Sequence, residues 1–243
     1  MLQAIDRELQ RCMIQLKGLH DRFEDRVEKM NRDWKKIMRI NAPGFRLVCD
    51  KEEVNYVTHP NDAVEIQRAI AAVHPDVKVF VDAFACVGGD TMATAFIHNH
   101  AKIIAVQRVM VEKEVGRFQR LQHNVSTFQS YFHRRNIIEC RAIDVAGFLS
   151  SYQEPISVLF LDPPWAVGKD PVEISPVNEI LEFLQTDVFT KLTTLPSVIC
   201  IKLPKGELIR WNDILQNEYQ LHTTLKPRDR YGVYIFTKNK IEE

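Results

Sequence analysis

Val79-Phe-Val-Asp-Ala-Phe-Ala-Cys-Val-Gly-Gly-Asp-Thr91 is the stretch on which the fold turns. Val79 to Ala83 is a short apolar run with β-branched and aromatic members, the pattern of a strand buried on both faces of a parallel sheet. Gly88-Gly89 supply a turn, and Thr91-Met-Ala-Thr-Ala-Phe-Ile97 continues at helical spacing. A strand, a glycine turn and a helix in this order suit a nucleotide-like ligand: glycine lets the backbone approach it closely, and the helix start offers free N–H groups. The spacing is not the dinucleotide pattern G-x-G-x-x-G. An acid, Asp82, stands instead at the carboxyl end of the strand. Taken alone, the stretch is equally an ordinary tight turn between a strand and a helix.

A second stretch adds chemistry. Ile156-Ser-Val-Leu-Phe-Leu161 is another buried strand, and it ends in Asp162-Pro-Pro-Trp165. Proline fixes φ and has no N–H, so this backbone presents carbonyl acceptors without competing donors. A flat base bearing an amine fits such a ledge, stacked on Trp165 and donating to the Asp162 carboxylate and the Pro163 carbonyl. The plain alternative is a turn with a packed tryptophan.

Composition sets the bounds. The chain has 243 residues, 45% of them hydrophobic, enough for one sizeable domain with an extension. Its 32 basic and 32 acidic residues cancel, so any contact with nucleic acid comes from a local patch and not from a general basic field. The five cysteines include no C-x-x-C pair, which argues against zinc and against a disulfide framework and for a reducing compartment. No apolar run approaches a membrane span, and the first residues do not read as a signal peptide. A soluble intracellular protein of nucleus or cytoplasm is expected, with no membrane partner.

Residues 2 to 40 carry one long helical pattern. Leu2, Ile5, Leu9, Cys12, Leu16, Leu19, Phe23, Val27, Met30, Trp34 and Ile37 recur at three- and four-residue steps, close to a heptad seam with an irregularity at Leu19-Phe23-Val27. A continuous helix here would be about 60 Å long at 1.5 Å per residue, longer than the domain is wide. It is therefore broken near Gly18 or partly projecting. It packs on the domain as a helix pair, associates with itself or takes a partner helix. Its second half is basic, with Lys29, Arg32, Lys35, Lys36 and Arg39 against Asp33. Asn41-Ala-Pro-Gly44 reads as a boundary, giving an extension over 1–40 and a domain over 41–243. Val54 to Thr58 reads as extended and Pro60 to Val73 as a helix. Strands follow at Lys102–Gln107, Ile137–Ala142 and Pro196–Leu203, with helices at Val115–Phe132, Val145–Ser151, Val177–Leu192 and Leu208–Tyr219. Gln220–Leu225 and Tyr231–Phe236 form a closing hairpin. Strands alternating with helices predict a doubly wound α/β sheet, mostly parallel, whose ligand lies beyond the carboxyl ends of its strands.

The two motifs, in this order, resemble those of class I S-adenosylmethionine-dependent methyltransferases acting on an exocyclic amine, and more narrowly the trimethylguanosine synthases that hypermethylate RNA caps. That family's D-A-F-C-G-V-G-G-N-T is similar to Asp82-Ala-Phe-Ala-Cys-Val-Gly-Gly-Asp-Thr91, and its S-P-P-W-G-G to Asp162-Pro-Pro-Trp-Ala-Val167. Its S-V-T-P resembles Tyr56-Val-Thr-His-Pro60, its F-L-P-R resembles Ile201-Lys-Leu-Pro-Lys205, and Gln122-His123-Asn124 resembles its N-N. The resemblance spans roughly Val54 to Phe236. It implies a Rossmann-like class I methyltransferase fold with an N-terminal helical extension, and S-adenosylmethionine as cofactor. It implies a cofactor site at Thr58, Asp82, Ala83, Phe84, Gly88, Gln107, Asp144 and Val145. It further implies catalytic positions at Asp162, Pro163 and Trp165, and 7-methylguanosine-capped RNA as the partner, held by Trp165 and Lys205.

Three positions depart from the family or leave a choice. Val106-Gln107 replaces I-D at the second strand's end, so no charge-assisted bond to the cofactor's ribose is available there, and Glu112 or Glu114 is the alternative. Asp144 suits either the adenine amine or a helix cap. Asp162 replaces a serine and is common in adenine-N6 and other guanine-N2 enzymes. The alternatives to cap methylation are therefore another nucleic-acid amino-methyltransferase, or a degenerate subunit that binds cap or RNA without catalysis.

Overall fold

The computed structural model describes residues 2–37, 45–51, 53–109, 112–132, 136–163, 195–204, 215, 218–228 and 231–239. Its centre is β1 (Val79–Asp82), which pairs in parallel with β2 (Lys102–Gln107) on one side and β4 (Val158–Leu161) on the other. Beyond β2 lies β3 (Ile137–Ala142), and beyond β4 lies β5 (Val198–Pro204), both parallel. The hairpin of β6 (Tyr219–Arg228) and β7 (Tyr231–Lys238) closes the sheet, with β7 antiparallel to β5. The order is β3-β2-β1-β4-β5-β7-β6. The chain builds outward from β1 through β3 and then returns to β4, so the crevice of a doubly wound sheet opens where β1 and β4 end.

The strands are apolar because both faces of the sheet are covered. Side chains alternate along a strand. Phe80, Val158, Phe160, Val198 and Cys200 point to one face, where α2 (Pro60–Val73) and α3 (Gly89–Ile97) contribute Ile66, Ile70 and Met92, and Phe128 comes from α4 (Glu112–Phe132). Val79, Val81, Leu159, Leu161, Ile199 and Ile201 point to the other face, against Phe148 and Leu149 of α5 (Val145–Ser151). Full burial of one such side chain contributes about 1.5–3 kcal/mol.

The N-terminal helix α1 runs unbroken over Leu2–Ile37, about 54 Å at 1.5 Å per residue. It passes through Gly18, where an added Cβ would meet nothing within 4 Å. The projecting arrangement is thus the one adopted. Val27, Met30 and Trp34, at steps of three and four, are buried in the same core as the first sheet face. Asn31 Oδ1 accepts from Leu47 N at 2.8 Å, and Asp33 Oδ2 meets His59 Nε2 at 2.9 Å. Toward the N-terminus, Arg11 to Gln15 and His20 to Arg22 are exposed.

The segment expected to be extended over Val54 to Thr58 begins instead with a 3-10 turn at Glu53–Asn55. A reciprocal pair of bonds forms the turn: Glu53 N donates to Asp50 Oδ1 at 2.8 Å, and Asp50 N to Glu53 Oε2 at 2.9 Å. The Glu53 carboxylate is wholly buried and is compensated from α4, by Arg120 at 2.6 and 2.7 Å and Arg117 at 3.3 Å. Asn124, also on α4, donates to Val48 O and to Val87 O at 2.8 Å each, tying this segment to the glycine turn. The expected helices over Val177–Leu192 and Leu208–Tyr219 fall outside the described residues, apart from Leu215, Glu218 and Tyr219 at the end of the second.

Candidate active site

The turn after β1 is pinned to both neighbouring strands. Ala83 N donates to Phe160 O and Ala85 N to Val106 O, each at 3.0 Å. The chain then reverses at Gly88, whose φ of 95° is left-handed, and α3 starts at Gly89. A Cβ on Gly88 would stand 3.1 Å from Leu121 Cδ1, and one on Gly89 would stand 2.9 Å from Val57 Cγ1. Gly88→Ala therefore meets both backbone strain and a tight neighbour, and is expected to cost about 1–3 kcal/mol. Urea unfolding of the variant measures it; an unchanged midpoint would mean that the turn relaxes freely.

Among the described residues, the buried Asp82, Asp90 and Asp62 and the largely buried Asp162 collect near the ends of β1 and β4. Asp82 accepts from Thr91 Oγ1 at 2.6 Å through Oδ2, while its buried Oδ1 has no hydrogen-bond partner among the described residues. Burial raises the Asp82 carboxyl to about 8, the nearby Asp90 adds to this, and the Thr91 hydroxyl opposes it. Asp90, on the first turn of α3, accepts from Thr58 Oγ1 through Oδ2, and its Oδ1 also lacks a partner among the described residues. Asp162 directly follows β4, and the buried Pro163 follows it. On α2, Asp62 accepts from Tyr231 Oη at 2.9 Å.

Lys202, on β5, organises these acids. Its Nζ donates to Asp162 Oδ2 at 2.6 Å and to Thr58 Oγ1 at 2.8 Å, and it lies 4.7 Å from the centre of the Tyr231 ring. The two charged side chains are 5% and 12% exposed, so water screens the pair little. Burial works against the ammonium, but the Asp162 and Asp90 carboxylates outweigh it and hold the Lys202 pKa above its ordinary value. Burial likewise lifts Asp162 to about 6, against the pull of Lys202. At neutral pH the pair is ionic, and Asp162 sits close to its titration point.

Thr58 is buried, and its hydroxyl links Asp90 to Lys202. Ala83 is buried at the end of β1, and Phe84 and Val145 both pack against the core of the second face. Gln107 is buried at the end of β2, its amide donating to Arg108 O at 2.9 Å. Glu114 stands 3.9 Å from Arg108 Nε. Asp144 caps α5, accepting from Gly147 N at 2.8 Å, and is exposed. Trp165 and Lys205 lie outside the described residues, as does the Glu112 side chain. Motif reading did not single out Lys202, Asp90 or Thr91. For Lys202 a signal was present: one lysine interrupts an otherwise apolar strand between Ile201 and Leu203.

Solved structures share this fold. The methyltransferase domain of METTL16 superposes with a TM-score of 0.63 at 12% identity, covering 89% of this chain and 97% of that one. The Rossmann-like methyltransferase fold is therefore the fold of this chain. The SAH-bound methyltransferase PaMTH1 of Podospora anserina matches with a TM-score of 0.52 at 11% identity, over 91% of this chain and 95% of that one. A methyltransferase from Geobacter sulfurreducens matches at 0.50 and 14% identity, over 95% and 98%. No protein-family model and no curated protein matches the sequence.

Proposed function

We propose that this chain transfers a methyl group from S-adenosylmethionine to the exocyclic amine of a nucleic-acid base, and that the base is the 7-methylguanosine of an RNA cap, methylated at N2. The observation that carries the reading is the juxtaposition at the switch point. An acid followed by proline ends β4, directly beside the glycine turn that follows β1.

The donor set fits the cofactor. Asp82 Oδ1 is a buried acceptor without a partner among the described residues, at the strand end where the cofactor's amino group would lie. Asp82, Ala83, Phe84 and Gly88 would hold the methionine end. Gln107 would meet the ribose with a neutral carboxamide, and Asp144 and Val145 would meet the adenine. Thr58 would act by setting Asp90 and Lys202. The bound cofactor supplies an electrophilic sulfonium methyl.

Asp162 and Pro163 would do the positioning. One Asp162 oxygen is held by Lys202; the other would accept a proton of the base amine, and the Pro163 carbonyl the second. Two acceptors on the amine protons would favour a pyramidal nitrogen whose lone pair is withdrawn from the ring and free to accept the methyl group, the sulfonium leaving as a neutral thioether. When the N–C bond forms, the nitrogen gains positive charge and must lose a proton. A carboxylate titrating near 6 can take that proton and pass it to water. Trp165 would stack on the cationic 7-methylguanine, and Lys205 with the basic second half of α1 would take the cap phosphates.

Trp165 decides between substrates. Stacking on a cation contributes about 0.5–2 kcal/mol, so the wild type should bind m7GTP more tightly than GTP. Trp165→Ala should barely distinguish them while keeping its S-adenosylmethionine affinity. Fluorescence titration with both nucleotides, and mass spectrometry of m7GTP after incubation with cofactor, test this. Equal binding of the two nucleotides, with methylation of an adenine-containing oligonucleotide, would replace the cap with an adenine-N6 substrate. Absence of S-adenosylmethionine binding at high micromolar concentration would leave a non-catalytic binding subunit, the reading that Gln107 favours.

A further inference from the structure

The apolar seam of α1 continues into the part of the helix that projects from the domain. From Leu2 to Phe23 the apolar residues keep a heptad, with Leu2, Leu9, Leu16 and Phe23 at position a and Ile5, Cys12 and Leu19 at position d. From Phe23 the next apolar residue is four positions on, at Val27, which is buried. At 3.6 residues per turn this step keeps the stripe on one face, with Val27, Met30 and Trp34 five whole turns along from Leu9, Cys12 and Leu16. The domain covers this stripe at Val27, Met30 and Trp34 and does not reach it at Cys12. Cys12 is exposed and Met13 beside it is 68% exposed.

We infer that this seam is closed by a second copy of the chain, as an antiparallel two-helix coiled coil centred on residue 14. Charge selects the occupant and the register. In an antiparallel pair, a faces d, g flanks g and e flanks e. With Leu9 opposite Leu19 and Cys12 opposite Leu16, the g positions bring Glu8 opposite Arg22 of the second copy, and the e positions bring Asp6 opposite His20. Each pairing occurs twice about the two-fold axis. Shifting by a heptad one way sets Glu8 against Gln15; shifting the other way sets Gln15 against Arg22 and draws in Arg26 and Met30, and Met30 is buried in its own domain. A parallel pair sets Glu8 against Met13 and Arg22 against Val27, which is likewise buried. The register centred on residue 14 matches opposite charges without drawing on residues that are buried in the domain. It also covers the projecting helix from Ile5 to Phe23, up to the point where Glu24 meets Arg46 at 3.1 Å and the domain begins.

The register makes the test specific. Full-length protein is expected to sediment as a dimer, and Arg22→Glu should weaken that dimer about ten-fold while Glu8→Arg/Arg22→Glu restores it. In a Cys12→Ser background, Gln15→Cys should cross-link to itself under mild oxidation. Glu8→Cys with Arg22→Cys should also cross-link, and neither of those two alone. A monomer at about 100 µM, roughly 100-fold above a micromolar dissociation constant, would overturn the proposal. So would cross-linking of the wild type through Cys12, which a parallel pair brings together and the antiparallel register keeps apart. Neither residue 8 nor residue 22 belongs to the proposed active site, so methyl transfer and self-association are read independently.

Discussion

Lys202→Met is expected to cost about 3–5 kcal/mol of stability and to remove methyl transfer. The substitution keeps the length of the side chain but takes away the ammonium that Asp162 and Thr58 both touch. Two almost fully buried carboxylates, Asp162 and Asp90, are then left uncompensated, and their pKa values rise further above the unfolded value. The sign follows. Below about pH 4 both acids are protonated folded or unfolded, so the variant suffers least there, and it loses stability as pH rises toward neutrality. Combining Lys202→Met with Asp162→Asn removes charge from both sides and should recover most of the stability without restoring transfer, because the amine has lost its anionic acceptor. Urea unfolding at pH 5 and pH 7.5, with transfer assays on the same preparations, separates the two effects. Wild-type stability in the single variant would show that the pair does not hold the site together.

Asp82 is expected to give the wild type a falling stability between pH 4 and pH 8. Its carboxyl is raised to about 8 in the folded chain, against an ordinary value near 3.8. Across that window the folded state holds a proton that the unfolded state has released, and each unit of pH costs about 1.36 kcal/mol, as much as about 5 kcal/mol in total. Asp82→Asn keeps the shape and removes the ionisation, so its stability should change much less over the same range. Unfolding of both proteins at pH 5.5 and pH 8.5 measures the difference. The same group links to the cofactor. If the cofactor's ammonium pairs with Asp82, binding at pH 7 releases a proton, which titration calorimetry detects as a heat that depends on the buffer. A slope unaltered by Asp82→Asn would assign the pH dependence to Asp162 or Asp90 instead.

Much of the architecture was legible along the chain because it depends on short-range pattern. The run from Val79 to Asp82 and the run from Lys102 to Gln107 read as buried strands at the places where they occur. Gly88 was expected at a turn and has the positive φ that only glycine adopts freely. Asp162 was expected at a strand end and stands there. The seam of α1 was visible, but periodicity could not tell a broken helix from a projecting one, because Gly18 permits both. Tertiary structure decided that, by burying Val27, Met30 and Trp34 against the domain and leaving Arg11 to Gln15 exposed. It also decided the chemistry of the site. Lys202 meets Asp162 from 40 residues away and Thr58 from 144 residues away, and Arg120 meets Glu53 from 67. A buried charge is stable only beside its counter-charge, and which charges become neighbours is set by strand order and helix packing, which local spacing does not encode.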